Sequence, residues 1–132
     1  MNDSSIKQIL ASAVTLTGSA VASSQVPIRS EAQHTLYVGF TKGTSGTGLS
    51  LTIEVSPDDL ETTAANSTWY QTGTWTSGAT ASFTADTFVS AASVNAAYTF
   101  KVVGKKIRIK YSETGTPSPF GTITATLLSK TF

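Results

Sequence analysis

Two alternating apolar runs joined by a short glycine-containing segment constrain the fold of this chain more than any other stretch. The segment runs from Ala96 to Ser112, AAYTFKVVGKKIRIKYS. Because successive side chains of a strand point to opposite faces, each run places its large residues on one side. Glycine accepts the positive φ of a primed two-residue turn, so Gly104 and Lys105 predict a β-hairpin. Its core-facing side is expected to consist of Tyr98, Phe100, Val102, Ile107, Ile109 and Tyr111.

The opposite face of the second run is predicted to be cationic, with Lys106, Arg108 and Lys110 side by side. Unpaired charges are costly to bury, so this face should be solvated or should bind an anionic surface of a partner. Acidic residues gather elsewhere, at positions 54, 58, 59 and 61. Such charge asymmetry can orient copies of the protein against each other or against a partner. The alternative is that both clusters are solvated faces.

Further strand candidates follow one another at fairly regular spacing, which is typical of a sandwich or barrel. Prominent helical periodicity is missing, and there is no internal repeat. The sequence therefore predicts an all-β fold, an antiparallel β-sandwich of jelly-roll or immunoglobulin-like kind with about eight or nine strands. Residues 1–10 are expected to form an N-terminal arm or a short helical turn, and residues 11–132 a single β-sandwich domain. The other predicted strands are Ser12–Thr17, Val26–Arg29, Thr35–Thr41, Leu49–Ser56, Thr68–Thr74, Ala81–Phe83 and Thr122–Leu128.

Composition limits the classes of function. Charged residues make up 13% of the chain, about half the usual share, and the net charge is +1. This gives no general attraction to nucleic acid or to membranes, and no apolar run is long enough to cross a bilayer. The early stretch ILASAVTLTGSAVA superficially resembles a secretory signal, but its polar interruptions and its alternation favour a strand. Cysteine is absent, so disulfides and thiolate metal sites are excluded.

No residue pattern predicts catalysis, and the chain is expected not to be an enzyme. His34 is the sole histidine, so neither a catalytic triad nor a typical zinc site can be assembled around it. Asp58, Asp59 and Glu61 are possible calcium ligands, although their spacing lacks the glycine and terminal Glu of an EF-hand loop. The same carboxylates could serve as a glycosidase pair, which only their separation in space would show. We predict no catalytic residue, no metal site and no cofactor.

Three aromatic residues, Trp69, Tyr70 and Trp75, admit two interpretations. Buried aromatic rings fill sandwich cores or interfaces, whereas exposed rings can stack on sugars. Since Trp69 and Tyr70 are adjacent, they should point to opposite faces of a strand, one packed and the other outward. Together with Lys106, Arg108 and Lys110, these three residues form the predicted partner-binding set.

Two segments, LSLTIEVSPDDLETTAANSTWYQ and YTFKVVGKKIRIKYSETGTPSPFGTITATLL, resemble in pattern the small all-β accessory proteins of tailed-phage virions. Head decoration (cement) proteins and small tail or neck components belong to this class. The resemblance implies a virion location and a non-enzymatic protein that binds the major capsid protein or other virion subunits, as a homo-oligomer. It transfers no functional residue. The alternative function is a tail-associated carbohydrate-binding or host-adhesion module.

Overall fold

A computed structural model describes residues 5–28, 32–77, 81–90 and 92–131, with the side chains of Ser5, 71–77, 81–90 and Thr131 outside that description. Eight strands in these ranges have seven or more residues, and two more have two. A 3-10 turn at Ala64–Asn66 interrupts a long connection, and no helix in these ranges is long and apolar enough to span a membrane. The strands are β1 (Ser5–Thr15), β2 (Val21–Ala22), β3 (Val26–Pro27), β4 (Ala32–Thr41), β5 (Gly46–Ser56), β6 (Tyr70–Ser77), β7 (Ala81–Ser90), β8 (Val94–Phe100), β9 (Lys106–Gly115) and β10 (Thr122–Thr131).

The strands form two antiparallel sheets. One sheet has four strands in the order β1-β10-β4-β8, and the other has the order β2-β9-β5-β6-β7, with β3 also on β9 and β7 also on β5. The chain passes from one sheet to the other at six of the nine connections between these strands, and β1 does not pair with the strand that follows it. This is the jelly-roll arrangement and not the immunoglobulin one, in which the first two strands are neighbours. The predicted all-β antiparallel sandwich is confirmed.

The core lies between the inner faces of the two sheets. On β10 the inward residues Ile123, Ala125 and Leu127 are fully buried, and the threonines between them face outward. The other predicted inward sets also hold, because a strand with one buried face fixes its own register. Buried apolar positions of the central strands are Leu36, Val38 and Phe40 on β4, Leu49, Leu51 and Ile53 on β5, and Ile107, Ile109 and Tyr111 on β9.

The predicted hairpin does not form. β8 pairs with β4 in the four-stranded sheet, whereas β9 pairs with β5 in the other sheet, so residues 101–105 cross from one sheet to the other. The inward faces of both runs are still predicted correctly, since either arrangement turns them to the core. Gly104 is required for a different reason than a hairpin turn: a Cβ atom there would overlap Cγ2 of Val55. A larger residue at this position would require the Val55 side chain to shift.

The N-terminal segment also differs from the expected arm or helical turn. Ser5–Thr15 is one strand, paired with β10 from Ser5 opposite Lys130 to Thr15 opposite Thr122. Its partner comes from the other end of the sequence, so no local pattern indicates the pairing. The strand is irregular, with register shifts between Ile9 and Val14 and a positive φ at Ala13. Those shifts obscure the alternation that would otherwise mark it.

Candidate functional site

The predicted cationic face of β9 is covered by the polar connection that follows β5. Lys106 is fully buried, and its Nζ donates hydrogen bonds to the Thr62 carbonyl oxygen at 2.8 Å and to Ser67 Oγ at 2.6 Å. The same ammonium lies 5.4 Å from the centre of the Trp69 ring. A buried ammonium is tolerated when its donors are satisfied, so this lysine fastens the connection to the sheet. The Lys106 ammonium therefore makes its hydrogen bonds within the protein.

Arg108 is engaged in a similar way. Its Nε donates to Oε1 of Glu54 at 2.8 Å, both side chains are mostly buried, and its guanidinium lies 4.2 Å from the centre of the Trp69 ring. The third predicted cation, Lys110, is half-buried and lines a small polar cavity with Glu54 and Ser112. The six-stranded sheet thus brings Lys106, Arg108 and Trp69 together, but in contact with one another and with the connection.

A second ion pair lies at the rim of this cluster. Lys105 Nζ is 2.6 Å from Oδ1 of Asp59, and both side chains are largely exposed. The hydrogen bond and charge of Lys105 lower the pKa of Asp59, and the same contact raises the pKa of Lys105. Asp58 accepts a hydrogen bond from the backbone N–H of Thr68 at 2.7 Å. These carboxylates therefore hold the connection in place, and within the described residues no group of three metal-ligating side chains occurs.

Trp69 directly precedes β6 and Tyr70 begins it, and their side chains differ in exposure. Trp69 is half-buried, and its Nε1 donates to the Ala64 carbonyl oxygen at 3.0 Å. Tyr70 points outward and is 56% exposed. Trp75 belongs to β6, but its side chain lies outside the described residues. Of the two rings that the structure describes, that of Tyr70 is the one available to a partner.

The outer face of the four-stranded sheet is a surface that the sequence analysis did not single out. Ile9, Thr126, Tyr37 and Ala97 are successive partners across β1, β10, β4 and β8, so all four point the same way. Ile9 is 60% exposed and Tyr37 48%. Exposed large apolar side chains in one row across a sheet are unusual for a surface that faces only water.

This outer face is nearly free of charge. The four strands contain no aspartate or glutamate, and their lysines, Lys7 and Lys130, lie near one end of the sheet. Every acidic residue in the described ranges lies on the six-stranded sheet or its connections. A shallow groove of about 570 Å³ crosses the face above Gly39, between Asn95 and Thr124, and is lined by uncharged residues. The sequence contains a signal for this surface, because the four strands of the sheet have no acidic residue.

No protein-family model matches the sequence, and no curated protein matches it. Solved structures do resemble the fold. A chain from Bacillus endospore appendages, described as a family of disulfide-linked pili, aligns with a TM-score of 0.51 and 12% identity, over 100% of this chain and 92% of that chain. A chain from infectious bursal disease virus, Gx strain, aligns with a TM-score of 0.53 and 9% identity, over 96% of this chain and 32% of that chain. The protein therefore shares its β-sandwich fold with a pilus chain and with part of a virus chain.

Proposed function

We propose that the protein is a non-enzymatic structural subunit of an extracellular or virion assembly. The observation that carries the proposal is the acid-free outer face of the four-stranded sheet, with Ile9 and Tyr37 exposed in one row. Depletion of charge with an aromatic residue near the centre is the composition of an interface core. The two fold relatives come from a pilus and a virus, which are assemblies of many subunits. That origin supports the same class of role here.

Within this class we propose a capsid decoration protein that binds the shell of a tailed bacteriophage as an oligomer. The pattern resemblance to phage accessory proteins supports this choice. A decoration protein makes the same contact at many shell positions, so a modest interface gains from avidity. The outer-face groove supplies no carboxylate or imidazole in its lining, which agrees with a binding role for this surface. Its partner would be the major capsid protein.

Addition to undecorated phage shells tests the proposal. We expect stoichiometric binding, seen by electron microscopy, and a higher disassembly temperature of the shell. Ile9→Lys and Tyr37→Lys should each weaken binding by about tenfold or more, because they place a charge in an apolar contact. Tyr70→Lys is the matched control, since Tyr70 is equally exposed but belongs to the other sheet. Failure to bind shells would remove the decoration role, and loss of binding in the Tyr70 variant alone would move the contact to the six-stranded sheet.

A second candidate function is a tail-associated carbohydrate-binding or adhesion module. It is favoured by the exposed rings of Tyr70 and Tyr37 and by the amide of Asn95 beside the groove, since aromatic rings and amides are groups that bind sugars. Titration with bacterial surface polysaccharide, followed by fluorescence, separates the two functions. Saturable binding that Tyr37→Ala or Tyr70→Ala abolishes would favour the sugar-binding role.

A further inference from the structure

β8 forms an outer edge of the four-stranded sheet without the features that normally protect such an edge. It is the last strand in the order β1-β10-β4-β8, and it pairs with β4 over seven consecutive positions without a register shift. Its sequence, VNAAYTF, contains neither charge nor proline. A regular, uncharged edge strand is a template for pairing with another strand.

Two other edges in the described residues are protected. β1, at the opposite side of the same sheet, has two register shifts, a positive φ at Ala13 and a charged residue at Lys7. In the six-stranded sheet, β9 is flanked by two strands of two residues each, one of which contains Pro27. Bulges, lysine, proline and short strands are the usual means by which proteins prevent edge-to-edge association. Their absence from β8 points to an edge that is used.

We propose that β8 pairs antiparallel with β8 of a second copy of this chain, with Ala97 on the two-fold axis. The two four-stranded sheets would then join into one sheet of eight strands. The inference rests on the proposed structural function, for which it names a contact that builds the oligomer.

The sequence of β8 is self-complementary about Ala97. On the outer face Asn95 would lie opposite Thr99 of the second copy, and the two Ala97 methyl groups would meet at the axis. On the inner face the small Ala96 would lie opposite the large Tyr98, and Val94 opposite Phe100. Opposed residues of an antiparallel pair are neighbours, so this register joins polar with polar and small with large. It also places no like charges together, which is what a two-fold contact requires of a single surface.

The position of β8 in the sheet also favours a second copy of this chain as its partner. Asn95, Ala97 and Thr99 are all exposed, and they belong to the same acid-free outer face as Tyr37. Pairing through β8 would therefore extend that face across two subunits. A contact limited to one pair of seven-residue strands is small, so we expect a weak dimer in solution that strengthens where a shell holds copies side by side.

Cysteine cross-linking tests the register. The chain has no cysteine, so Ala97→Cys introduces a single thiol at the axis. Opposed residues of an antiparallel pair lie within the Cα separation that a disulfide spans. We expect a disulfide-linked dimer under mild oxidation. Thr41→Cys, which is exposed on the interior strand β4, is the matched control and should stay monomeric. Equal cross-linking of both variants, or none in either, would overturn the proposal.

A charge swap gives a second, reversible test. The variant N95K/T99K would place lysine opposite lysine twice in the dimer, whereas N95E/T99K would place glutamate opposite lysine twice. Both variants lose the hydrogen bond between Thr99 and Thr35 and replace the Asn95 amide opposite Gly39, so their folding costs are matched. By sedimentation over a concentration series, we expect N95E/T99K to dimerise about tenfold or more tightly than N95K/T99K. Indistinguishable dimerisation of these variants would contradict the proposed pairing.

The two proposals fail separately. If all variants remain monomeric in solution and still add to shells as the wild type does, β8 pairing is wrong and the structural function stands. If Ala97→Cys gives the dimer but shells bind none of the proteins, the pairing stands and the decoration role is wrong.

Discussion

Arg108 and Glu54 lie directly opposite each other on β9 and β5, and Nε of Arg108 is 2.8 Å from Oε1 of Glu54. Their side chains are 15% and 14% exposed, so the pair is shielded from water but not fully buried. We expect Arg108→Ala to lower the free energy of unfolding by about 1–3 kcal/mol, because Glu54 is left without its cation in a poorly solvated position. Urea unfolding measures this difference. Lys110→Ala, two residues along the same strand face, should cost less than about 1 kcal/mol, and equal losses in both variants would show that the ion pair has no special weight.

A buried carboxylate holds two loops together at one end of the sandwich. Glu113 is 1% exposed and accepts hydrogen bonds from the backbone N–H groups of Gly43 and Gly121, both at 2.6 Å. We expect Glu113→Ala to reduce the free energy of unfolding by about 3–5 kcal/mol, because it leaves two buried donors without an acceptor. Glu61→Ala, at an exposed acidic position, should change it by less than about 0.5 kcal/mol. Thermal and urea unfolding measure both variants, and a Glu113 loss as small as that of Glu61 would contradict this role.

Gly104 and Val55 come into contact where the chain crosses between the sheets. A Cβ on Gly104 would overlap Cγ2 of Val55. We expect Gly104→Ala to destabilise the protein by about 1–3 kcal/mol, as overpacking usually does. Val55→Ala removes the obstructing methyl groups, so the double variant should be less destabilised than the sum of the two single variants. Strict additivity in a double-mutant cycle would indicate that the glycine is needed for some other reason.

The local sequence pattern was sufficient to predict which face of each strand is buried. It was insufficient to predict which strands pair with each other. The inward residues of β5, Leu49, Leu51 and Ile53, follow from period-two alternation, because one buried face leaves a strand a single register. The hairpin prediction failed because a five-residue link between two apolar faces is compatible with a turn in one sheet or with a crossing to the other. Pairing of β9 with β5 over ten positions decides between them, and that contact is distant in sequence.

The burial of Lys106 could not be predicted for a related physical reason. Alternation assigned Lys106 to the solvent side of β9, and a residue on that side is expected to be exposed. The connection between β5 and β6 folds back over this side and supplies Thr62 and Ser67 as partners for the ammonium. Nothing in the spacing of these residues indicates that contact. The acid-free outer face requires only that four strands lack aspartate and glutamate, which the sequence shows. Which four strands form the sheet depends on the topology, which the sequence does not show.

Burial of Tyr111 makes the stability of the protein depend on alkaline pH. Tyr111 is 5% exposed in the core, and burial raises the pKa of its phenol above the usual value of about 10. Above pH 10 the phenol therefore ionises in the unfolded chain while it stays protonated in the folded one, so unfolding releases a proton. The free energy of unfolding must then fall as pH rises from about 10 to the folded pKa. Tyr111→Phe should show a shallower decline over this range, with a difference from wild type at pH 7 of about 1 kcal/mol or less. Urea unfolding at pH 7, 9, 10 and 11 measures how the free energy of unfolding of each protein changes with pH. The Lys105–Asp59 ion pair also weakens as its lysine loses a proton, but it is present in both proteins and so does not affect their difference. Parallel slopes would show that the phenol titrates alike in the folded and unfolded states.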